Sequence, residues 1–277
     1  MPVDARRLIR KMRGGSQAHL IEASDGAFYV VKFLNNPQHR RILVNEWIAS
    51  TFLHYLGIST PEVAMIRVSA AFVAENPEAH IQLGATRQTL QPGWHFGSRF
   101  PGDPARLVVY DFLPDSLLER VENLREFAGV LAFDKWMGNA DSRQAVFFRA
   151  RLKDWLPSST AHPLRVGFVA QMVDNGFVFE GPHWKLTESP IQALYFRPLV
   201  YRSVRGLQDF EPWLSRILHF PDEVVDQAVK QIPPSWLEGE EEALDKMLVQ
   251  LLARRRHVPG FLESCQQARG NPFLNWT

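Results

Sequence analysis

The sequence predicts an α+β fold, and two observations predict it. Strand-like alternation bounded by turn residues recurs between residues 20 and 83, and beyond Phe179 amphipathic helical pieces follow one another between prolines 190, 198, 212, 221, 233, 234 and 259. With 277 residues, 45% of them hydrophobic, the chain can bury the core of one large unit or of two closely packed lobes. A net charge of +1 gives no global field, so neither a specific nucleic-acid partner nor a membrane is expected. The single cysteine, Cys265, excludes an intrachain disulfide and fits a reducing compartment. Residues 1–13 are basic and lack the apolar core of a signal peptide, and no apolar run approaches membrane-spanning length, so a cytoplasmic protein is expected.

Taken in order, the arginine-rich residues 1–13 read as a solvated helix or arm. Gly14, Gly15 and Ser16 then form a loop ahead of a hairpin, strands 20–23 and 28–33 around the turn Ser24-Asp25-Gly26. Glycines there let backbone amides approach phosphate oxygens, although such a pair is equally an ordinary turn. Lys32, set in the apolar run Val30-Val31-Lys32-Phe33, requires an anion. The next element offers one: Asn36 as N-cap, Pro37 as first helical residue and Gly57 as terminator predict a helix over 37–56 with Glu46 bordering its buried face. A strand lysine paired with a helix glutamate is how kinases orient the α- and β-phosphates of ATP, and it is also the pattern of a surface salt bridge. Short strands are expected over 61–68, 70–73 and 80–83. The Gly- and Pro-rich residues 91–104 then read as a boundary between lobes at 98/99, where Phe96, Gly97 and Ser98 could meet an adenine or simply form a connecting loop.

From Asp115 the pattern turns helical, and Asn123 and Glu126 have capping-box spacing for a helix ending at Gly138. That helix leads into Gly138-Asn139-Ala140-Asp141-Ser142-Arg143-Gln144, a polar loop between apolar flanks. A strand follows, then a polar excursion at Ser158-Ser159-Thr160, then a second strand ending at Asp174-Asn175-Gly176. Two carboxylates are thus presented from neighbouring hairpin ends, as in phosphoryl transfer, where one acid faces the attacking hydroxyl and another the metal.

Together Gly14-Gly15-Ser16, Val31-Lys32, Glu46, residues 95–99, Gly138-Asn139-Ala140-Asp141 and Val173-Asp174-Asn175-Gly176-Phe177 resemble the HipA-like kinases, relatives of the persistence-toxin Ser/Thr kinases and distantly of the phosphatidylinositol kinases. The resemblance runs from about residue 14 to 180. It implies a bilobal protein-kinase-like fold, with a small mixed-sheet N-lobe over 1–98 and a helical C-lobe over 99–277. It implies ATP and Mg²⁺ as cofactors and a Ser/Thr hydroxyl of a protein substrate as acceptor, with a small molecule or lipid as the alternative acceptor and a regulatory protein as a further partner. Asp141 would accept or orient the substrate proton, Asp174 would bind Mg²⁺, Lys32 would hold the phosphates and Glu46 would hold Lys32. Gly14, Gly15, Ser16, Phe96, Gly97 and Ser98 would line the nucleotide. The extra N-terminal subdomain of the larger persistence toxins is not expected. One position departs from the family: the metal-binding Asn five residues after the catalytic Asp is Val146 here. Valine cannot ligate Mg²⁺, so either Gln144, Asn139 or Asn175 substitutes with its amide oxygen, or only one metal is well held, or the chain is a nucleotide-binding pseudokinase acting as an interaction module.

Overall fold

The computed structural model describes residues 2–156 and 160–277; of the polar excursion expected at 158–160, Ser158 and Ser159 lie outside the described residues. Five strands close into a barrel: β1 (Val3–Lys11), β2 (His19–Ala23), β3 (Phe28–Lys32), β4 (Val63–Val68) and, after a separate hairpin of β5 (His80–Leu83) and β6 (Thr86–Thr89), β7 (Gly93–Arg99). The order is β1-β2-β3-β7-β4, and β1 closes the ring by pairing parallel with β4.

Three expectations are corrected here. The arginine-rich start is a strand rather than a helix or arm: Val3, Ala5 and Leu8 pack on the barrel core while Arg6, Arg7 and Arg10 face out. Register shifts between Ala5 and Arg7 and between Leu8 and Arg10 break the strict two-residue period, which hid the strand from a periodicity reading. Residues 70–73 are not a strand. They begin helix α2 (Ala70–Glu75), whose N-cap Ser69 accepts the Phe72 N–H through Oγ at 3.0 Å. Residues 93–99 are not a connecting loop but β7, bonded on both sides, to β3 and to β4. Gly97 is required there, because a Cβ would lie 2.5 Å from Ile66 Cγ1.

Helix α1 (Arg41–Leu56) joins the barrel to the rest of the chain. It starts four residues later than expected, because the backbone passes through a left-handed conformation at His39 (φ 97°) and Asn36 Oδ1 caps a short turn at the Gln38 N–H instead. Nearly every α1 residue from Ile42 to Leu53 is buried, as suits a helix covered on all sides: it packs against β7 and against the helices of the C-terminal half.

That half holds short α3 (Asp115–Leu118), buried α4 (Glu126–Met137), the hairpin β8 (Gln144–Arg151) and β9 (Val166–Val173) with α5 (Leu152–Trp155) between them, and α6 (Trp213–Leu218), α7 (Asp222–Lys230), α8 (Pro234–Leu237), α9 (Glu241–Arg254) and α10 (Val258–Gln267). The expected capping box does not form. The Asn123 side chain pairs instead with the Ala170 N–H and C=O of β9, both at 2.9 Å, and so docks the hairpin on α4. Trp136, Phe127, Phe133 and Trp236 are fully buried in the core shared with α1. Near the end of α9 the Arg254 guanidinium donates to the carbonyls of Leu186 and Lys135. Among the described residues no helix is long and apolar enough to cross a membrane.

Candidate active site

Strand alternation turns Lys32, the last residue of β3, into the cleft between the barrel and the β8–β9 hairpin, while its neighbour Val31 points into the barrel core. Its ammonium is buried and donates to Glu46 Oε1 of α1 and to Asp174 Oδ1, the latter at 2.7 Å. Burial alone would drive the Lys32 proton off, but the charges of Asp174 and Glu46 outweigh it and the pKa moves up. The Lys32 charge in turn holds the Asp174 carboxyl below the usual range against the opposing effect of burial, and the neighbouring Gln144 amide acts in the same direction. The second oxygen of Glu46 accepts the Asn175 N–H at 3.1 Å.

Asp174 adopts a left-handed backbone (φ 59°), which turns its side chain out of the strand and into the cleft. The following Gly176 lies against α1, where a Cβ would come within 2.6 Å of Ile42 Cγ2. Asn45 of α1 fastens this segment, its Nδ2 donating to the carbonyls of Gly176, Val178 and Gly181 at 2.8 to 3.1 Å. The paired acid and its helix partner are therefore held through both side chain and backbone.

The loop carrying Asp141 is set by a buried ion pair. Arg143 is fully buried and makes a two-pronged contact with Asp134 of α4, while its other nitrogen donates to Asn175 Oδ1 at 2.8 Å and to the Val173 carbonyl at 3.1 Å. Gly138 ends α4 in a left-handed conformation (φ 60°), and the Ala140 N–H donates to the Phe177 carbonyl at 2.9 Å. The loop and the Asp174 turn are thus one bonded unit. Asp141 is exposed at its tip, with Oδ1 accepting the Ser142 N–H.

The family pattern of the HipA-like kinases matches residues 6–146, just over half of the chain. The chain belongs to the HipA-like kinase family. Solved structures similar to this HipA-like kinase include the structure of hydra Fam20 with sugar (12% identity, 98% of this chain and 89% of the other, TM-score 0.54), the Golgi casein kinase (12%, 97% and 74%, 0.53) and the same kinase with Mn/ADP bound (11%, 97% and 74%, 0.50). At such identities the likeness is one of fold, which is kinase-like with mixed α and β content. No curated protein matches the sequence.

Within this HipA-like kinase the cleft of about 270 Å³ gathers Lys32, Glu46, Asp174, Gln144 and Ser16. Ser16 sits on the β1–β2 turn, in which Gly14 (φ 111°) supplies the left-handed step; neither Gly14 nor Gly15 lines the cleft. Phe96 and Ser98 line it by their side chains, but the backbone groups of Phe96, Gly97 and Ser98 lie in a strand paired on both sides and are spent on the β3 and β4 ladders. Asn139 is not free for a metal. Its Nδ2 donates to Asp134 Oδ1 at 3.0 Å and its Oδ1 accepts the Asp141 N–H at 3.1 Å, so it shapes the loop. Asn175 Oδ1 is held by Arg143, and a guanidinium repels a cation at the same oxygen. Of the three amides that could replace the Asn missing at Val146, Gln144 is the one whose side chain meets Asp174 itself in the cleft. Asp134, Arg143 and Asn45 escaped the sequence reading, although a polar residue inside an apolar helix, as at Asp134 and Asn45, is a legible signal of a buried contact.

Proposed function

We propose that this chain is an ATP- and Mg²⁺-dependent kinase that transfers the γ-phosphoryl group to a Ser/Thr hydroxyl of a protein, with a barrel lobe over 1–98 and a helical lobe over 99–277. The observation that carries the proposal is the meeting of Lys32, Glu46 and Asp174 in one cleft, with Lys32 within hydrogen-bond reach of both acids. Phosphoryl transfer is mostly a matter of positioning and of charge neutralisation, and these residues supply both. Lys32, oriented by Glu46, holds the α- and β-phosphates. Ser16, which lines the cleft from the β1–β2 turn, covers them. Asp141, exposed at the loop tip, accepts or orients the proton of the acceptor hydroxyl.

The donor set fits a hard divalent cation. Asp174 is kept ionised by Lys32, and Gln144 adds a neutral oxygen beside it, which suits an ion that takes one or two protein oxygens and completes its shell with phosphate and water. When bound, that ion neutralises charge on the phosphates. The Mn/ADP bound to the Golgi casein kinase is in keeping with this assignment. Purified protein is expected to incorporate label from γ-labelled ATP into itself or a lysate protein, with Asp141→Asn lowering the rate by roughly 10²- to 10⁴-fold.

Val146 favours a second reading, a nucleotide-binding pseudokinase that serves as an interaction module. Under it Mg·ATP at about 100 Kd stabilises the fold by roughly 2.7 kcal/mol with no label transferred, and Asp141→Asn is silent. Absence of transfer by protein that binds ATP would remove the catalytic assignment.

A further inference from the structure

Base recognition in this cleft, which rests on the kinase reading above, finds no free backbone N–H donor in residues 96–101. Within β7 the amides of Phe96, Gly97 and Ser98 belong to the sheet. In the connection that follows, the Arg99 N–H donates to the Glu62 carbonyl at 2.8 Å, the Phe100 N–H donates to the Phe28 carbonyl at 2.7 Å, and Pro101 has no N–H. A base lying among Ala18, Val30, Val109 and Val146 would find apolar faces there, but no amide donor from residues 96–101.

Gln171 offers what the backbone withholds. It lies on β9 opposite Val146, three residues before Asp174, and is only 4% exposed, yet its Oε1 has no hydrogen-bond partner. Neighbouring Ala170 and Met172 enter the helical core, so alternation turns Gln171 to the cleft face. It lines the cleft and also a second cavity of about 880 Å³ behind it, standing with Thr60 and Phe100 on the wall the two share. A buried acceptor left idle is costly, and the side chain that carries this one lines the cleft.

We propose that Gln171 selects adenine: Oε1 accepts from the exocyclic N6 amine and Nε2 donates to N7. A primary amide matches that acceptor–donor edge with two bonds. Guanine presents two acceptors, O6 and N7, on the same edge, so Oε1 would face a lone pair and stay unpaired. Val146, directly across the ladder, keeps the floor apolar.

The test is calorimetric binding of the β,γ-imido analogues of ATP and GTP, and of 7-deaza-ATP, to the full chain with Mg²⁺. Wild-type protein is expected to bind the ATP analogue at least about tenfold tighter than the GTP analogue and to bind 7-deaza-ATP more weakly than ATP. Gln171→Met should cost the ATP analogue about tenfold, leave the GTP analogue unchanged and lose the discrimination against 7-deaza-ATP. Gln171→Asn, which keeps a buried amide but withdraws it from the base, should behave in the same way. The 7-deaza comparison on wild-type protein needs no variant at all. ATP affinity unchanged in both variants, or an equal loss for both purines, would overturn the assignment while leaving the kinase reading intact. Failure of wild-type protein to bind either nucleotide would overturn both.

Discussion

The barrel and the helical half bring charge to the same cleft by different means. On the barrel side, Lys32 is placed by β alternation, and its partner Glu46 comes from the next helix in sequence. On the helical side, Asp174 in the cleft and Asp141 at an exposed loop tip outside its lining are placed by a buried pair, Arg143 and Asp134, sealed at 0% side-chain exposure. The first arrangement follows from local pattern, whereas the second needs the tertiary structure to close before it has meaning. The contrast extends to their cores: the barrel interior is mostly medium-sized aliphatics with Tyr29, Phe33 and Phe72, the helical interior holds packed aromatics such as Phe52, stacked on Trp136 and tilted against Phe220.

The sharpest way to break this comparison is to unpair the sealed side. Arg143→Met strands Asp134 in the core and is expected to cost about 3–5 kcal/mol in a urea titration, and the double substitution with Asp134→Leu should recover most of that loss. Phosphotransfer should not recover with it, because the Val173 and Asn175 anchors stay broken. Recovery of both would show that the pair merely fills space.

On the barrel side the corresponding change, Lys32→Met, is expected to be milder for folding, about 2 kcal/mol, since Glu46 keeps the Asn175 N–H and Asp174 reaches solvent. It should abolish measurable transfer. Destabilisation as large as that of Arg143→Met would erase the distinction between the two sides.

The smallest effect concerns pH. His95 is fully buried, with Nδ1 accepting the Leu34 N–H at 2.9 Å and Nε2 against the Gln91 carbonyl at 2.9 Å, and burial drives its pKa down to about 4. The folded protein therefore keeps His95 neutral while the unfolded chain, near 6.5, takes up a proton, so the stability it contributes is lost as pH falls from 6.5 towards 4. Between pH 6 and 5 the loss is about 1 kcal/mol. Glu126, whose carboxyl burial raises to about 7, works in the opposite direction, gaining stability on acidification. Thermal melts of wild type minus His95→Gln isolate the histidine, and a difference that does not change with pH would show that it is not held neutral.

Legibility in the sequence follows the same division. Lys32, Glu46, Asp141 and Asp174 stand out because each is a charge at a definable point of a local element, and the structure brings Lys32, Glu46 and Asp174 together. What stayed hidden depended on distant partners. Asn139 resembles a metal ligand until Asp134, on the preceding helix, claims its amide. The β1 strand was masked by two register shifts, and β7 by glycines that read as a linker, of which Gly97 is required by the close approach of Ile66. Arg143 sits among polar loop residues, and nothing local announces that it is buried.

One contact sets how the site can come apart. At Gly176 no side chain separates the acid-bearing turn from Ile42 and Glu46, so the helix and the turn touch as bare backbone against side chain. An outward tilt of α1 would not loosen the cleft by degrees. It would uncouple Glu46 from Asn175 and Lys32 in one motion, making the position of a single helix an all-or-none measure of whether the three charges are assembled.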